Sequence, residues 1–331
     1  MKYDVSILIP IYKVEQYIER CLHSVFGQTY SSIQFIFVDD CSPDRSVEIL
    51  HTVLKEYPMR KDHVKIIKHE QNRGLAAARN TALENADAQY VLNIDSDDFV
   101  EKDMVELMYN SAFHNGSDIV FCDFIIEWKR TQKIAYQPFI NKRQYLLDLL
   151  NTSAMPGVVN KLIKKDLYIS NNIHPFEGVD LGEDYITTPR LVFKAKKISK
   201  VDKPLYHYVQ FNTGSYTATM SDKSGKDLLF VLQTLDSYFK TTDGFETLKV
   251  DILRGQLIKK IDLVSRIEST SRKEIFKEFP EANTVFSKTN LSSREKIIFK
   301  LSIDNHFRTL DVFLKFYGYL FEKFQLIKKR R

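Results

Sequence analysis

Cysteine is scarce and poorly spaced for a structural role: Cys21, Cys41 and Cys122 are odd in number and form no CxxC pair. That excludes a disulfide framework and a zinc site, and leaves each thiol as a small apolar residue in a reducing compartment. No stretch approaches the ~18 consecutive apolar residues of a membrane span. The start, Met1-Lys2-Tyr3-Asp4-Val5, has no apolar segment before Pro10, so a secretory leader is not expected. A GxxxxGKS/T segment is missing, which argues against a P-loop ATPase. The first apolar run leads into Pro10-Ile11-Tyr12-Lys13 rather than GxGxxG, which argues against a dinucleotide-binding dehydrogenase. There is no internal repeat and no low-complexity tract. A net charge of +5 over 331 residues is mild and favours anionic partners only weakly. The expected location is the cytoplasm or the cytoplasmic face of the inner membrane.

What is present is an alternation of apolar runs and amphipathic stretches. Val5-Ser6-Ile7-Leu8-Ile9 reads as a buried parallel strand stopped by Pro10. A helix follows with Val14, Ile18, Cys21, Leu22 and Val25 on one face, ending near Gly27. Ile33–Val38 reads as a second strand, and Ser42-Pro43 as a helix start with serine as cap. Val64–Ile67 is a third strand, Asn72-Arg73-Gly74 a turn, and Leu75–Asn80 opens a strong helix. Tyr90–Ile94 is the fourth strand, so residues 1–98 spell β-α-β-α-β-α-β, a parallel sheet with helices on both faces. Further on, the pattern predicts helices over 101–114, 142–150 and 161–170, and a strand over 118–126. A helix opened by Gly182-Glu183-Asp184 and short strands at 198–201 and 205–209 complete this part. Beyond Ser221 helical periodicity runs to the end of the chain, with a boundary near 216–222 after Thr213-Gly214-Ser215.

Three strand ends carry polar groups on one edge of the sheet: Pro10-Ile11-Tyr12, Asp39-Asp40 and Asp95-Ser96-Asp97-Asp98. In a parallel sheet these ends converge, and ligands bind outside them. Three carboxylates within four positions repel one another, and a divalent cation bound by oxygens would offset that. The crevice suits a nucleotide whose phosphates share a metal. Simpler readings stand beside this one. The acidic run could cap a helix beginning near Glu101, and Asp39 and Asp40 could be turn residues. Asp184 could cap its own helix, and Arg79 could lie on the surface of an alanine-rich helix.

Ile7-Leu8-Ile9-Pro10-Ile11-Tyr12, Val38-Asp39-Asp40-Cys41-Ser42-Pro43-Asp44, Asn72-Arg73-Gly74 with Ala78-Arg79-Asn80, Ile94–Asp98 and Gly182-Glu183-Asp184 stand in the order and spacing of the family 2 glycosyltransferases. The chain resembles these inverting, GT-A-fold enzymes of bacterial polysaccharide synthesis over roughly residues 3–215. The resemblance implies an α/β fold, a mostly parallel nucleotide-binding sheet flanked by helices, with a C-terminal helical extension. It implies a catalytic domain over 1–218 (1–98 the nucleotide-binding half, 99–218 the acceptor half) and a helical region over 219–331. It implies transfer of a hexosyl or N-acetylhexosaminyl group from a nucleotide sugar, a UDP-sugar, to a glycan or lipid-linked glycan with the help of Mn²⁺ or Mg²⁺. Residue by residue, Pro10, Tyr12, Asp39 and Asp40 would line the nucleotide base, and Arg79 would lie near the base and phosphates. Asp95 and Ser96 would meet ribose or sugar, Asp97 the metal, and Asp98 would support that loop. Asp184 would be the general base, which a helix start would keep ionised, with Glu183 beside it.

Asn160 and Lys161 match a segment near the donor diphosphate, though a helix-start lysine fits equally. His207 matches a third metal ligand of some relatives, or a packed histidine. Lys13 stands where asparagine is common, and Cys41 where glycine is usual in a turn of positive φ. The arginine that often follows the 205–209 strand is lacking. The tail carries Phe307, Leu310, Phe313, Leu314, Tyr317, Leu320, Phe321 and Phe324 at helical spacing and ends Lys328-Lys329-Arg330-Arg331. It suits either an anionic membrane surface or a helix packed on the protein. Two rival functions are a glycoside hydrolase with paired carboxylates, and an inactive nucleotide- or glycan-binding module of a membrane-associated synthesis complex. No nucleic-acid partner is expected.

Overall fold

Val5-Ser6-Ile7-Leu8-Ile9 forms the middle of strand β1 (Tyr3–Ile11), which is buried almost throughout. The computed structural model describes residues 2–179, 181–212, 222–267 and 270–328, with the side chains of 222 and 320–328 outside that description. Pro10 does not end the strand; it pairs with Val38, and β1 runs on to Ile11 opposite Asp39.

The other strands are β2 (Ile33–Asp39), β3 (Val64–Lys68), β4 (Ala88–Asn93), β5 (Phe99–Val100), β6 (Ile119–Glu127), β7 (Gln132–Ala135), β8 (Lys161–Lys164) and β9 (Ile198–Val209). They make one nine-stranded sheet in the order β3-β2-β1-β4-β8-β6-β9-β5, with β7 on the side of β6. β3-β2-β1-β4 is parallel. Beyond it the directions mix: β8 runs antiparallel to β4 and β6, while β9 is parallel to β6. The segment expected as a helix over 161–170 is instead β8 followed by a single short helical turn.

Helices of this part are α1 (Ile18–Phe26), α2 (Ser46–Leu54), α3 (Leu75–Glu84), α4 (Met104–Asn115), α5 (Lys142–Leu150), α6 (Lys165–Ile169) and α7 (Glu183–Lys194). Alternate side chains of a strand point to opposite faces. Ile7, Ile9, Phe35 and Phe37 join one core with Leu22 and Val25 of α1 and Met104 and Met108 of α4. Leu8, Ile36 and Val38 are equally buried but outside that cluster. The run of small residues Ala76-Ala77-Ala78 in α3, all buried, lets a helix approach the sheet closely. Ser42 does not cap α2. Its hydroxyl donates to Asp44 and accepts the Lys13 N–H, and the helix starts only at Ser46. Lys13 and Cys41 both sit at positive φ, 54° and 57°.

The chain divides into two compact units, Met1–Leu149 with Ser153–Ala218, and Leu150–Thr152 with Thr219–Arg331. Thr213-Gly214-Ser215 lies outside the described residues. The second unit contains α8 (Asp222–Lys240), α9 (Phe245–Arg266), α10 (Arg272–Lys277), α11 (Ser293–Ile303) and α12 (Phe307–Lys328). Its own core joins Leu257, Ile261 and Val264 of α9 with Ile298 of α11 and Leu310 of α12. A reciprocal cap fixes the start of α11: Ser292 accepts from the Glu295 N–H while Glu295 accepts from Ser292. In α12, Phe307, Leu310, Phe313 and Leu314 pack inward on this core. Leu320, Phe321, Phe324 and the terminal basic run belong to the side chains outside the description. Among the described residues no helix is long and apolar enough to cross a membrane.

Candidate active site

The three polar strand ends do meet at one edge. Ile11 of β1 lies opposite Asp39 of β2, and the Asp40 N–H donates to the Ile11 carbonyl at 3.0 Å. On the other side the Ile94 N–H donates to the Leu8 carbonyl, which leads directly to Asp95. Pro10 and Tyr12 border this edge, and Tyr12 lies under the Lys13 amine at 5.0 Å from its ring centre.

The two β2 aspartates have different employment. Asp40 is consumed by protein: its Oδ1 accepts from the Arg73 N–H and pairs with His69 Nδ1, and its Oδ2 accepts from the Gly74 N–H. It therefore holds the Asn72-Arg73-Gly74 turn that starts α3. Asp39 accepts from the Ser42 N–H at 2.8 Å through Oδ1.

Arg79 is the hub. Far from being a surface residue, it is 3% exposed. Its Nη2 donates to Asp95 at 2.8 Å, and its Nη1 donates to both Glu183 and Asp184 at 3.0 Å. One guanidinium thus joins the end of β4 to the first turn of α7. Burial opposes the charge of Arg79, but Asp95, Asp184 and Glu183 outweigh it and hold the group firmly protonated. The carboxylates share too little positive charge. Burial, then Asp184, pushes Glu183 up to about 8. Burial also raises Asp184, against the pull of Arg79. A helix-start position favours the anion, and desolvation acts against it, so the Asp184 carboxyl lies above its ordinary value.

The acidic loop after β4 is built by residues the sequence did not single out. The Tyr206 hydroxyl donates to Asp98 Oδ2 at 2.6 Å and accepts the Asp95 N–H at 3.2 Å. The Val209 N–H donates to Asp98 Oδ1, so Asp98 is a structural anchor rather than an exposed ligand. Asp97 Oδ2 accepts from Asn212 at 2.8 Å. Burial and then Asp95 raise Asp97, a strain that a cation would relieve. Ser96 is buried in the same turn, and the Cys21 thiol donates weakly to the Asp95 carbonyl from beneath. Among the described residues no three His, Cys, Asp or Glu side chains converge on one cation position. The donor set fits a cation shared with a diphosphate, where one or two carboxylates suffice.

His207 is a packed histidine. Its Nδ1 meets Glu127 at 2.8 Å, its Nε2 meets Glu101 at 2.9 Å, and its ring stacks on Phe99 at 4.0 Å. Ligating a metal would need one of these nitrogens to leave its glutamate, whereas the packed reading needs no rearrangement. Lys161 opens β8 with Asn160 just before it, both fully buried. Lys161 Nζ donates to the Gly157 carbonyl at 2.5 Å and to Asn160 Oδ1 at 2.8 Å, and burial pushes it down to about 7. Lys161 therefore starts a strand, not a helix. Its amine ties down the 155–158 loop, whose backbone at Val158 favours the Asp184 carboxylate. At Gly157 an added Cβ would sit 3.8 Å from Asp184 Oδ2.

The model of glycosyl transferase family 2 matches residues 6–168. The chain is 32% identical over 212 residues to EpsH of Bacillus subtilis (strain 168), covering 62% of this chain and 60% of that protein. It is 30% identical over 232 residues to glycosyltransferase GlyA of Streptococcus pneumoniae serotype 4, 66% of this chain but 32% of that one. With glycosyltransferase GlyG of the same organism identity is 30% over 239 residues, 66% of this chain and 75% of that one. The chain therefore spans less than two thirds of the first two relatives and three quarters of the third. Among solved structures, Staphylococcus aureus TarS 1–349 in complex with UDP gives a TM-score of 0.71 at 17% identity, covering 96% and 91% of the two chains. Mannosyltransferase PcManGT from Pyrobaculum calidifontis, with GDP-Man and Mn²⁺, gives 0.52 at 14%, covering 97% and 86%. At such identities the likeness carries the fold, which is GT-A. With the fold, the family match and the GlyG relationship together, the chain belongs to glycosyl transferase family 2.

Proposed function

We propose that this chain is an inverting, metal-dependent glycosyltransferase. It moves a sugar from a nucleotide donor, a UDP-sugar, to a saccharide hydroxyl in surface polysaccharide, lipopolysaccharide or lipid-linked oligosaccharide synthesis. The observation that carries this reading is Arg79, which couples Asp95 at the nucleotide edge to Asp184 at the start of α7. A nucleotide-binding edge alone has no need of a second carboxylate pair on the far side of the crevice.

In this reading Asp39 accepts from the donors of the base, and Asp40 holds the neighbouring turn. Asp95 meets ribose or sugar while Arg79 keeps it aimed. Asp97 holds the cation, which supplies charge neutralisation for the departing diphosphate. Asp184 takes the proton of the acceptor hydroxyl as its oxygen bonds to the anomeric carbon. The bond from that carbon to the diphosphate oxygen breaks on the opposite face, the nucleoside diphosphate keeps the electron pair, and configuration inverts. Gly157, lacking a side chain beside Asp184, leaves room for the acceptor.

A panel of UDP-, dTDP- and GDP-sugars, assayed for turnover with Mn²⁺ or Mg²⁺ and again after chelation, tests this. The expected result is metal-dependent turnover of a UDP-sugar. Turnover of only a dTDP- or GDP-sugar overturns the donor, and turnover unaffected by chelation overturns the metal.

A further inference from the structure

The β6–β7 hairpin has no role in the chemistry above, yet its composition is unusual. Between Glu127 and Asp148 the chain carries no acid and five cations, Lys129, Arg130, Lys133, Lys142 and Arg143. Lys142 is occupied with the carbonyls of Phe193 and Ala195, whereas the other four are exposed. The only tryptophan of the sequence, Trp128, stands at the turn and is 42% exposed, and the Trp128 N–H donates to the Thr131 carbonyl to close that turn. Tyr136 and Ile140, just beyond β7, are 72% and 79% exposed, and Ile134 on β7 is exposed too.

Edge strands are usually blunted by charge. Among the described residues β7 pairs with β6 alone; it has its lysine, but large apolar side chains accompany it. The root of the hairpin is fixed. The Glu127 carbonyl accepts from the Gln210 N–H at 2.8 Å, and its carboxylate meets His207. Glu127 lies opposite Val209, whose N–H holds Asp98, and Asn212 holds Asp97. The hairpin therefore rises beside the acidic loop of the site.

We infer that this hairpin docks on an anionic phospholipid bilayer. Tryptophan and tyrosine rings settle at headgroup depth, and basic side chains gain about fivefold in binding each near an anionic surface. Exposed Ile134 and Ile140 gain nothing from an anionic glycan in water, but they do gain from the acyl boundary, which selects lipid over soluble polyanion. Such docking brings the acidic loop, tied to the root of the hairpin, toward the headgroup layer. That orientation matters for a lipid-linked acceptor only on the function proposed above, whereas docking itself does not depend on it.

Trp128 is a built-in reporter. The full chain is mixed with vesicles of phosphatidylcholine alone or with phosphatidylglycerol, and co-sedimentation and tryptophan emission are read together. Binding to the anionic vesicles at least tenfold tighter than to the neutral ones, with a blue-shifted emission, is expected. The triple variant Lys129→Glu, Arg130→Glu, Lys133→Glu, with unchanged circular dichroism, is expected to lose at least tenfold. Three results overturn the inference: no selective sedimentation; sedimentation with unmoved emission and an unaffected triple variant, which places contact elsewhere; or an equal emission change with soluble dextran sulfate, which makes the partner a polyanion. None of these reads sugar transfer, so failure here leaves the proposed reaction untouched.

Discussion

One guanidinium does not neutralise the three carboxylates packed around it. Asp95, Glu183 and Asp184 share Arg79. Glu183 is pushed up to about 8 and Asp184 is raised as well, so a proton held by the pair relieves the charge around Arg79. Asp184, the proposed base, must be ionised to work. Because burial raises it, transfer is expected to fall as pH drops through a point above the residue's ordinary value. Asp184→Asn is expected to lower kcat by about 10²–10⁴ with nucleotide binding retained; a variant with near-normal turnover removes Asp184 from the mechanism. Glu183 makes a separate claim on stability. Its folded value lies above the ordinary 4.5, so its contribution is fully present below that pH and is lost as pH rises through about 8. Glu183→Gln cannot ionise. Its melting point is expected to match the parent near the acid end and exceed it above about pH 8, and equal melting points at both ends would place the proton elsewhere.

Elements rather than residues decide how the acidic loop is held. β9 delivers Tyr206, His207 and Val209 in succession, and each engages the segment from Asp95 to Glu101. Tyr206→Phe leaves Asp98 Oδ2 without its donor and the Asp95 N–H without its acceptor, a cost of about 1–3 kcal/mol for buried groups. If Tyr206 also positions the loop, the metal concentration for half-maximal activity rises several-fold; loss of stability alone would make it a packing residue. Nothing in the local sequence announces Tyr206, because its role depends on β9 lying beside the loop. The same limit explains the other gaps. Lys161-Leu162-Ile163-Lys164 is too short to tell a strand from a helix by periodicity, and its place between β4 and β6 settles it. The breaks at 202–204, read as separating two strands, are a bulge in one strand, where the register against β6 shifts around Asp123. By contrast the parallel half was legible, since short β-branched apolar runs ending in Asp39 and Asp95 alternate with amphipathic stretches, the pattern of strands buried on both faces. Arg79 was expected near the base and phosphates; its burial among Asp95, Glu183 and Asp184 was hidden by the alanines around it.

At the scale of the whole molecule, two separate cores imply two stability accounts. The sheet unit is organised by residues such as Ile7, Phe37 and Met104, and the helical unit by Leu257, Ile298 and Leu310. Chains above ~250 residues seldom grow a single core, and two cores need not melt together. Every residue proposed to bind nucleotide or metal belongs to the first unit. A ligand stabilises only what it binds, by about 2.7 kcal/mol at a hundred times its dissociation constant. UDP with Mn²⁺ is therefore expected to raise one calorimetric transition and leave a second in place, and Asp97→Ala is expected to cancel that rise. If both transitions move together with ligand, the two cores unfold as one, and the helical unit is then part of what nucleotide binding stabilises. If Asp97→Ala still shows the full rise, the cation is not held at Asp97, and the acidic loop after β4 returns to being a turn pinned by Tyr206.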